Sequence, residues 1–112
     1  TIDTVNTFDG NTATVATTNE TATDLYAADL YAGAKLVVSA RDTVTGETQI
    51  SEILISNTDS AASAVEFGTV FTGSAALATF DVDVSTGFAR LLITSASSNS
   101  TKYQVSLNLI KV

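Results

Sequence analysis

The chain contains no histidine, cysteine, methionine, tryptophan or proline. Without histidine it lacks the commonest general base, the commonest metal ligand and the usual partner of a nucleophilic serine. Without cysteine it has no disulfide, no thiolate nucleophile and no thiolate metal site, so cysteine usage points to no redox compartment. Without proline, any exposed sheet edge must be protected by charge, by bulges or by another subunit. Positive charge is also scarce: five Lys and Arg stand against twelve Asp and Glu, for a net charge of -7. The five cations, from Lys35 to Lys111, form no cluster, so attraction to nucleic-acid phosphates or anionic lipid is not expected. No apolar run approaches the roughly 18 residues a bilayer-crossing helix needs.

What is present reads as one globular domain. At 112 residues, 45 % hydrophobic and 15 % charged, the chain can bury roughly 60 to 70 % of the surface it exposes when unfolded. It begins at Thr1, a start that a removed initiator, a processed form or an excised piece would each give. Thr and Ser are abundant, and the β-branch of Thr favours strands while its hydroxyl suits an outer face. The expected fold is all-β: a sandwich, jelly-roll-like or immunoglobulin-like, of about eight or nine short and mostly antiparallel strands.

Residues 1–11, TIDTVNTFDGN, place Ile2, Val5 and Phe8 irregularly and end in a turn signal at Asp9-Gly10-Asn11. They are read as an N-terminal arm or first edge strand, and residues 12–112 as the sandwich. TATVATT is a weak strand. In TATDLYAADLYAGA, the residues Leu25, Tyr26, Ala28, Leu30 and Tyr31 fit a helical turn about as well as a strand, with Thr23 or Asp24 as cap and Gly33 as stop.

From Ala34 the pattern is cleaner. Leu36, Val38 and Ala40 alternate with Lys35, Val37, Ser39 and Arg41, and Asp42 to Glu47 makes a hairpin connection. The next strand carries Ile53 and Ile55 on one face and Ile50 and Leu54 on the other, which predicts a central strand covered on both sides. AVEFGTVFTG has Val65, Phe67 and Phe71 in strand spacing. In the last strand Tyr103, Val105, Leu107 and Leu109 face in, while Gln104, Ser106 and Asn108 face out.

The segment FDVDVSTGFARLLIT, Phe80 to Thr94, fixes a register. With a two-residue turn at Thr86-Gly87, Ser85 lies opposite Phe88, Val84 opposite Ala89, Asp83 opposite Arg90, Val82 opposite Leu91 and Phe80 opposite Ile93. All the apolar members then share one face, and Asp83 meets Arg90 on the other as a pair of opposite charges.

Candidate chemistry is thin. Asp81, Asp83 and Ser85 before Gly87 have the look of an oxygen-ligand calcium loop, but the glycine comes one place late and no bidentate Glu follows. Alternation with Phe80, Val82 and Val84 makes them an outer strand face instead. Glu52 and Glu66 are the carboxylates to weigh as an acid and base on a glycoside. Glu52 is expected instead to pair with Arg41, Lys35 or Arg90. No His activates a Ser, and there is no GxSxG elbow. Tyr26, Tyr31 and Tyr103 are expected to serve the core before any sugar platform, and the acceptor patterns at Asn19 and Asn99 are taken as chance. No catalytic residue, cofactor or metal is expected, and the chain is read as no enzyme.

Taken together, Tyr31, Ala34-Lys35, Glu52 to Leu54, Glu66 to Thr69, Thr72 to Ser74, Leu77 to Asp81, Gly87 and Ala89 to Thr94 resemble, in order, a β module of virion structural proteins of tailed phages, especially those infecting marine cyanobacteria. The resemblance spans about the last three-quarters of the chain. Two positions depart from it: Ala32 stands where a basic residue usually follows the Tyr, and Ser95 where a Pro usually follows the final Thr. Such modules occur in head-decorating, neck and fibre proteins. The resemblance therefore implies a virion component, most simply a capsid decoration or other particle-surface protein, docking to capsid or tail subunits as a homotrimer or as lattice-repeated copies. The alternative is a host-receptor or glycan-binding tip module of a tail or fibre. Candidate partner-binding residues are Ile2, Val5 and Phe8, in an arm (Thr1 to Gly10) that orders on binding, together with Tyr26 and Tyr31. Neither nucleic acid nor membrane is expected as a partner.

Overall fold

The computed structural model describes residues 6–112, which form eight strands: β1 (Asn6–Val15), β2 (Thr21–Ala27), β3 (Tyr31–Asp42), β4 (Thr48–Asn57), β5 (Ala62–Phe71), β6 (Ala78–Ser85), β7 (Phe88–Ser95) and β8 (Thr101–Lys111). They build two antiparallel sheets, one of five strands in the order β1-β8-β3-β4-β5 and one of three in the order β2-β7-β6. The chain passes between sheets from β1 to β2, β2 to β3, β5 to β6 and β7 to β8. The expected all-β sandwich is the architecture observed.

Period-two alternation decides which side chains fill the space between the sheets. From the large sheet come Leu36, Val38 and Ala40 of β3, Ile53 and Ile55 of β4, and Tyr103, Val105, Leu107 and Leu109 of β8; from the small sheet come Val82, Ala89, Leu91 and Ile93. Leu36, Leu91, Ile93 and Tyr103 have no accessible surface at all. Each fully buried aliphatic side chain contributes roughly 1.5 to 3 kcal/mol relative to leaving it in water.

The β6–β7 hairpin has the register its sequence dictates, from Phe80 opposite Ile93 to Ser85 opposite Phe88. Thr86 and Gly87 have φ of 49° and 84°, the left-handed pair of a type I′ turn, whose twist matches that of the flanking strands. On its outer side Arg90 donates through Nε to Asp83 Oδ1 at 2.8 Å and through a terminal nitrogen to Oδ2 at 2.6 Å. This two-pronged contact lowers the Asp83 pKa and accounts for its carboxylate without a metal.

Polar side chains tie the sheets together where the core ends. Gln49, buried in β4, accepts the Leu77 N–H through Oε1 at 2.6 Å and donates to the Ala78 carbonyl at 3.3 Å. The Ser95 and Tyr103 hydroxyls bridge β7 to β8. At the opposite end, the Tyr26 hydroxyl donates to Asn57 Oδ1 at 2.6 Å, and Asn57 Nδ2 donates to the Tyr31 carbonyl at 3.0 Å.

Two expectations are corrected and one open choice is resolved. Asp9-Gly10-Asn11 is no turn: β1 runs through it, with Gly10 opposite Ser106. The Asp9 and Asn11 side chains instead accept the N–H groups of Gly10 and Thr12, each at 2.8 Å, which occupies donors along an edge strand. The segment open to helix or strand is strand β2, then a turn in which the Leu30 N–H meets the Ala27 carbonyl at 3.2 Å, then β3. A bulge between Asp24 and Tyr26 lets the adjacent Leu25 and Tyr26 both be buried, which blurs the alternation. Gly33 stops nothing; it lies within β3, where a Cβ would stand 2.3 Å from the Ile55 carbonyl oxygen. Finally, β4 is covered on one side only, since Ile50 and Leu54 remain 45 % and 47 % exposed.

Candidate functional site

That uncovered side is the outer face of the five-stranded sheet, and strand register lays out its contents row by row. One row runs Phe8, Asn108, Lys35, Leu54, Val65 across all five strands. The next runs Gly10, Ser106, Val37, Glu52, Gly68, and a third runs Thr12, Gln104, Ser39, Ile50, Val70. The β8 and β1 side of this face is polar and the β4 and β5 side is apolar.

The apolar side is sharpened by a bulge. Glu52 faces Gly68 and Ile53 faces Glu66, so Phe67 is the extra residue of β5. Its ring lies under the Lys35 ammonium, with Nζ 5.8 Å from the centroid, close enough for a cation–π attraction. Ile50, Leu54, Val65, Phe67 and Val70 thus form one exposed apolar surface, Val70 being 73 % accessible. Two shallow depressions mark the face: one of about 480 Å³ beside Leu54 and Val65, and one of about 620 Å³ above Gly10, where a side chain is missing. Scattered apolar residues are ordinary on a surface, whereas a contiguous set on one sheet face makes this the candidate binding surface.

The residues singled out from sequence fare differently. Ile2 and Val5 lie outside the described residues. Phe8 is 66 % exposed and shares the outer face with Leu54 and Lys35, at the far edge of the sheet. From Asn6 onward the chain is already paired with β8. Tyr26 is only 6 % exposed, and burial pushes its hydroxyl up to about 12. It packs edge-on against Tyr31 at 5.8 Å between centroids. Tyr26 is a core residue, so it presents no ring for a partner or a sugar to stack on, and Tyr31 is half-buried against it.

Glu52 and Glu66 sit on opposite sides of the large sheet, since Glu66 is paired with inward-facing Ile53, and so form no acid–base couple. Glu66 accepts a hydrogen bond from Thr69. The expected ion pair of Glu52 is absent: among the described residues the ion pair is Arg90–Asp83. At the far end of the sandwich, Asp42 accepts Asn99 Nδ2 at 3.0 Å and the N–H groups of Val44 and Thr45 at 2.9 and 3.1 Å. The Asn99 contact and then these backbone donors hold its carboxyl below the ordinary range against the opposing effect of burial. Asn99 is therefore used in closing a loop.

Sequence reasoning located the residues of the outer face but not their exposure. The signal was the two-faced apolar pattern of β4 with the apolar run of β5. A strand apolar on both sides needs two covers, and this fold supplies one.

Over the described residues, fold and face together define a two-sheet antiparallel sandwich with an exposed apolar surface on its larger sheet. No family model matches the sequence, and no curated protein matches it. Among solved structures, the fold is similar to part of the tailspike protein of Acinetobacter phage vB_ApiP_P1, with a TM-score of 0.55 and 15 % sequence identity. The match covers 94 % of this chain and 22 % of that one. At such identity the likeness is one of fold.

Proposed function

We propose that this chain is a non-enzymatic structural protein of a phage particle that works by protein–protein docking through the outer face of β4 and β5. The observation carrying the proposal is the contiguous exposed surface of Ile50, Leu54, Val65, Phe67 and Val70 on a chain that is otherwise strongly acidic. Such a surface gains free energy only when something covers it, at roughly 25 cal/mol per Å² removed from water. The lack of His and Cys agrees with a role in assembly. The phage module that the sequence resembles and the fold likeness to part of a tailspike both favour the virion as its place. A particle-surface position, as a capsid decoration or on the tail, suits a face that docks to a neighbouring subunit.

The test is co-sedimentation of the purified chain with particles stripped of it, comparing wild type with Leu54→Asp and Val65→Asp. Both substitutions fall on exposed positions, so circular dichroism should be unchanged while particle association is lost. Undiminished association of both variants would remove this face from the proposal.

A further inference from the structure

We infer that the partner covering the β4–β5 face is a second copy of this chain, presenting the outer face of its three-stranded sheet. The inference rests on the docking role proposed above and adds the identity of the partner. It follows from charge and shape on the two outer faces of the sandwich.

On the large-sheet face, register places Lys35, Arg41 and Lys102 outward, Lys102 and Arg41 being directly paired, with Glu52 as the opposing carboxylate. That face is therefore net positive on a chain of net charge -7. The outer face of the small sheet has the reverse balance. Asp24 of β2 and Asp83 of β6 both flank Arg90, and Asp81 lies beside Leu92. Three carboxylates thus meet one guanidinium, which is already committed to Asp83. This acidic face also carries apolar surface along its central strand, with Phe88 exposed and Leu92 half-buried.

Two faces of opposite sign, each carrying exposed apolar surface beside its charges, lie on opposite sides of one molecule, the cations of the large sheet standing on β3 and β8 next to the apolar β4–β5 side. A net charge of -7 makes copies repel on average, and setting the positive face against the acidic one opposes that repulsion while the apolar surfaces meet. Because the two surfaces differ, the contact is head to tail, and a pair joined by it keeps one free face of each kind, one on each copy, for the next.

The test uses light scattering on the purified chain with two substitutions on different faces, Leu54→Glu and Asp81→Lys. Both positions are exposed, and circular dichroism checks that each variant folds. Wild type is expected to self-associate, less so as salt is raised. Each variant alone is expected to be monomeric. Mixed in equal amounts they should form a one-to-one complex and nothing larger, because Leu54→Glu keeps an intact acidic face and Asp81→Lys an intact apolar one. A monomeric wild type, an Asp81→Lys chain that associates like wild type, or a mixture that stays monomeric would each overturn head-to-tail pairing. A monomeric wild-type chain that still needs Leu54 to bind particles would overturn self-pairing and leave the docking role standing. Self-association by the mixing rule with no particle binding would do the reverse.

Discussion

The hydroxyl oxygens of Ser95 and Tyr103 lie 2.6 Å apart in the buried interior, one contributed by each sheet. The Tyr103 ring also meets Phe80 edge-on at 6.1 Å between centroids, so one residue joins the sheets by both a polar and an aromatic contact. Tyr103→Phe keeps the ring and strands the Ser95 hydroxyl. It should cost about 1 to 3 kcal/mol by chemical denaturation. Adding Ser95→Ala should recover part of that loss, since the orphaned group is then gone. Additive losses in the double mutant would mean the two hydroxyls are not coupled.

Val82 and Asp81 are neighbours pointing to opposite sides of β6. Val82→Asp buries a carboxylate among Leu91, Ile53 and Phe80 and should cost several kcal/mol, whereas Asp81→Asn should change stability by less than about 0.5 kcal/mol. Urea midpoints of the two variants decide it. Equal effects would mean the faces of this hairpin are misassigned.

The Asp42 carboxyl is held below its ordinary value of 3.8, chiefly by Asn99 and then by the Val44 and Thr45 N–H groups. A carboxyl whose folded pKa is depressed contributes stability that is complete above the unfolded pKa and disappears as pH falls through the folded one. The wild-type chain should therefore lose stability on acidification below about pH 4. Asn99→Ala should shrink that acid-side loss and move the Asp42 carboxyl titration upward, as read by NMR. An unmoved titration would take Asn99 out of the account.

Gly33 is needed for what it lacks. A methyl group there would meet the Ile55 carbonyl oxygen at 2.3 Å, and that oxygen belongs to strand backbone that cannot swing aside. Gly33→Ala should cost about 1 to 3 kcal/mol, as an overpacked site does, while Gly68→Ala, with nothing within 4 Å of its Cβ position, should be mild. Thermal unfolding of the pair checks the contrast.

What the sequence made legible follows distance along the chain. The β6–β7 hairpin could be read residue by residue because turn, register and both faces are encoded within fifteen neighbouring positions. The inward sets of β3 and β8 were likewise plain from alternation. β1 was misread at Asp9-Gly10-Asn11 because turn-forming residues there serve an edge, next to a strand almost a hundred positions away. Tyr26 was ambiguous because a bulge breaks the period on which any strand reading depends. The exposure of Ile50 and Leu54 was not legible, since a sequence shows that a face is apolar but not what lies against it.

The order of strands in the large sheet has a consequence for the birth of the molecule. β8, the last of the eight described strands in sequence, lies between β1 and β3 and pairs with both along nearly its whole length. A chain that leaves the ribosome N-terminus first therefore brings out β1 and β3 before the strand that joins them. β1 pairs with a strand more than 80 positions away, and pairings of such long range are intrinsically slow to close. A chain cut short before Thr101 would leave β1 and β3 without the strand that lies between them.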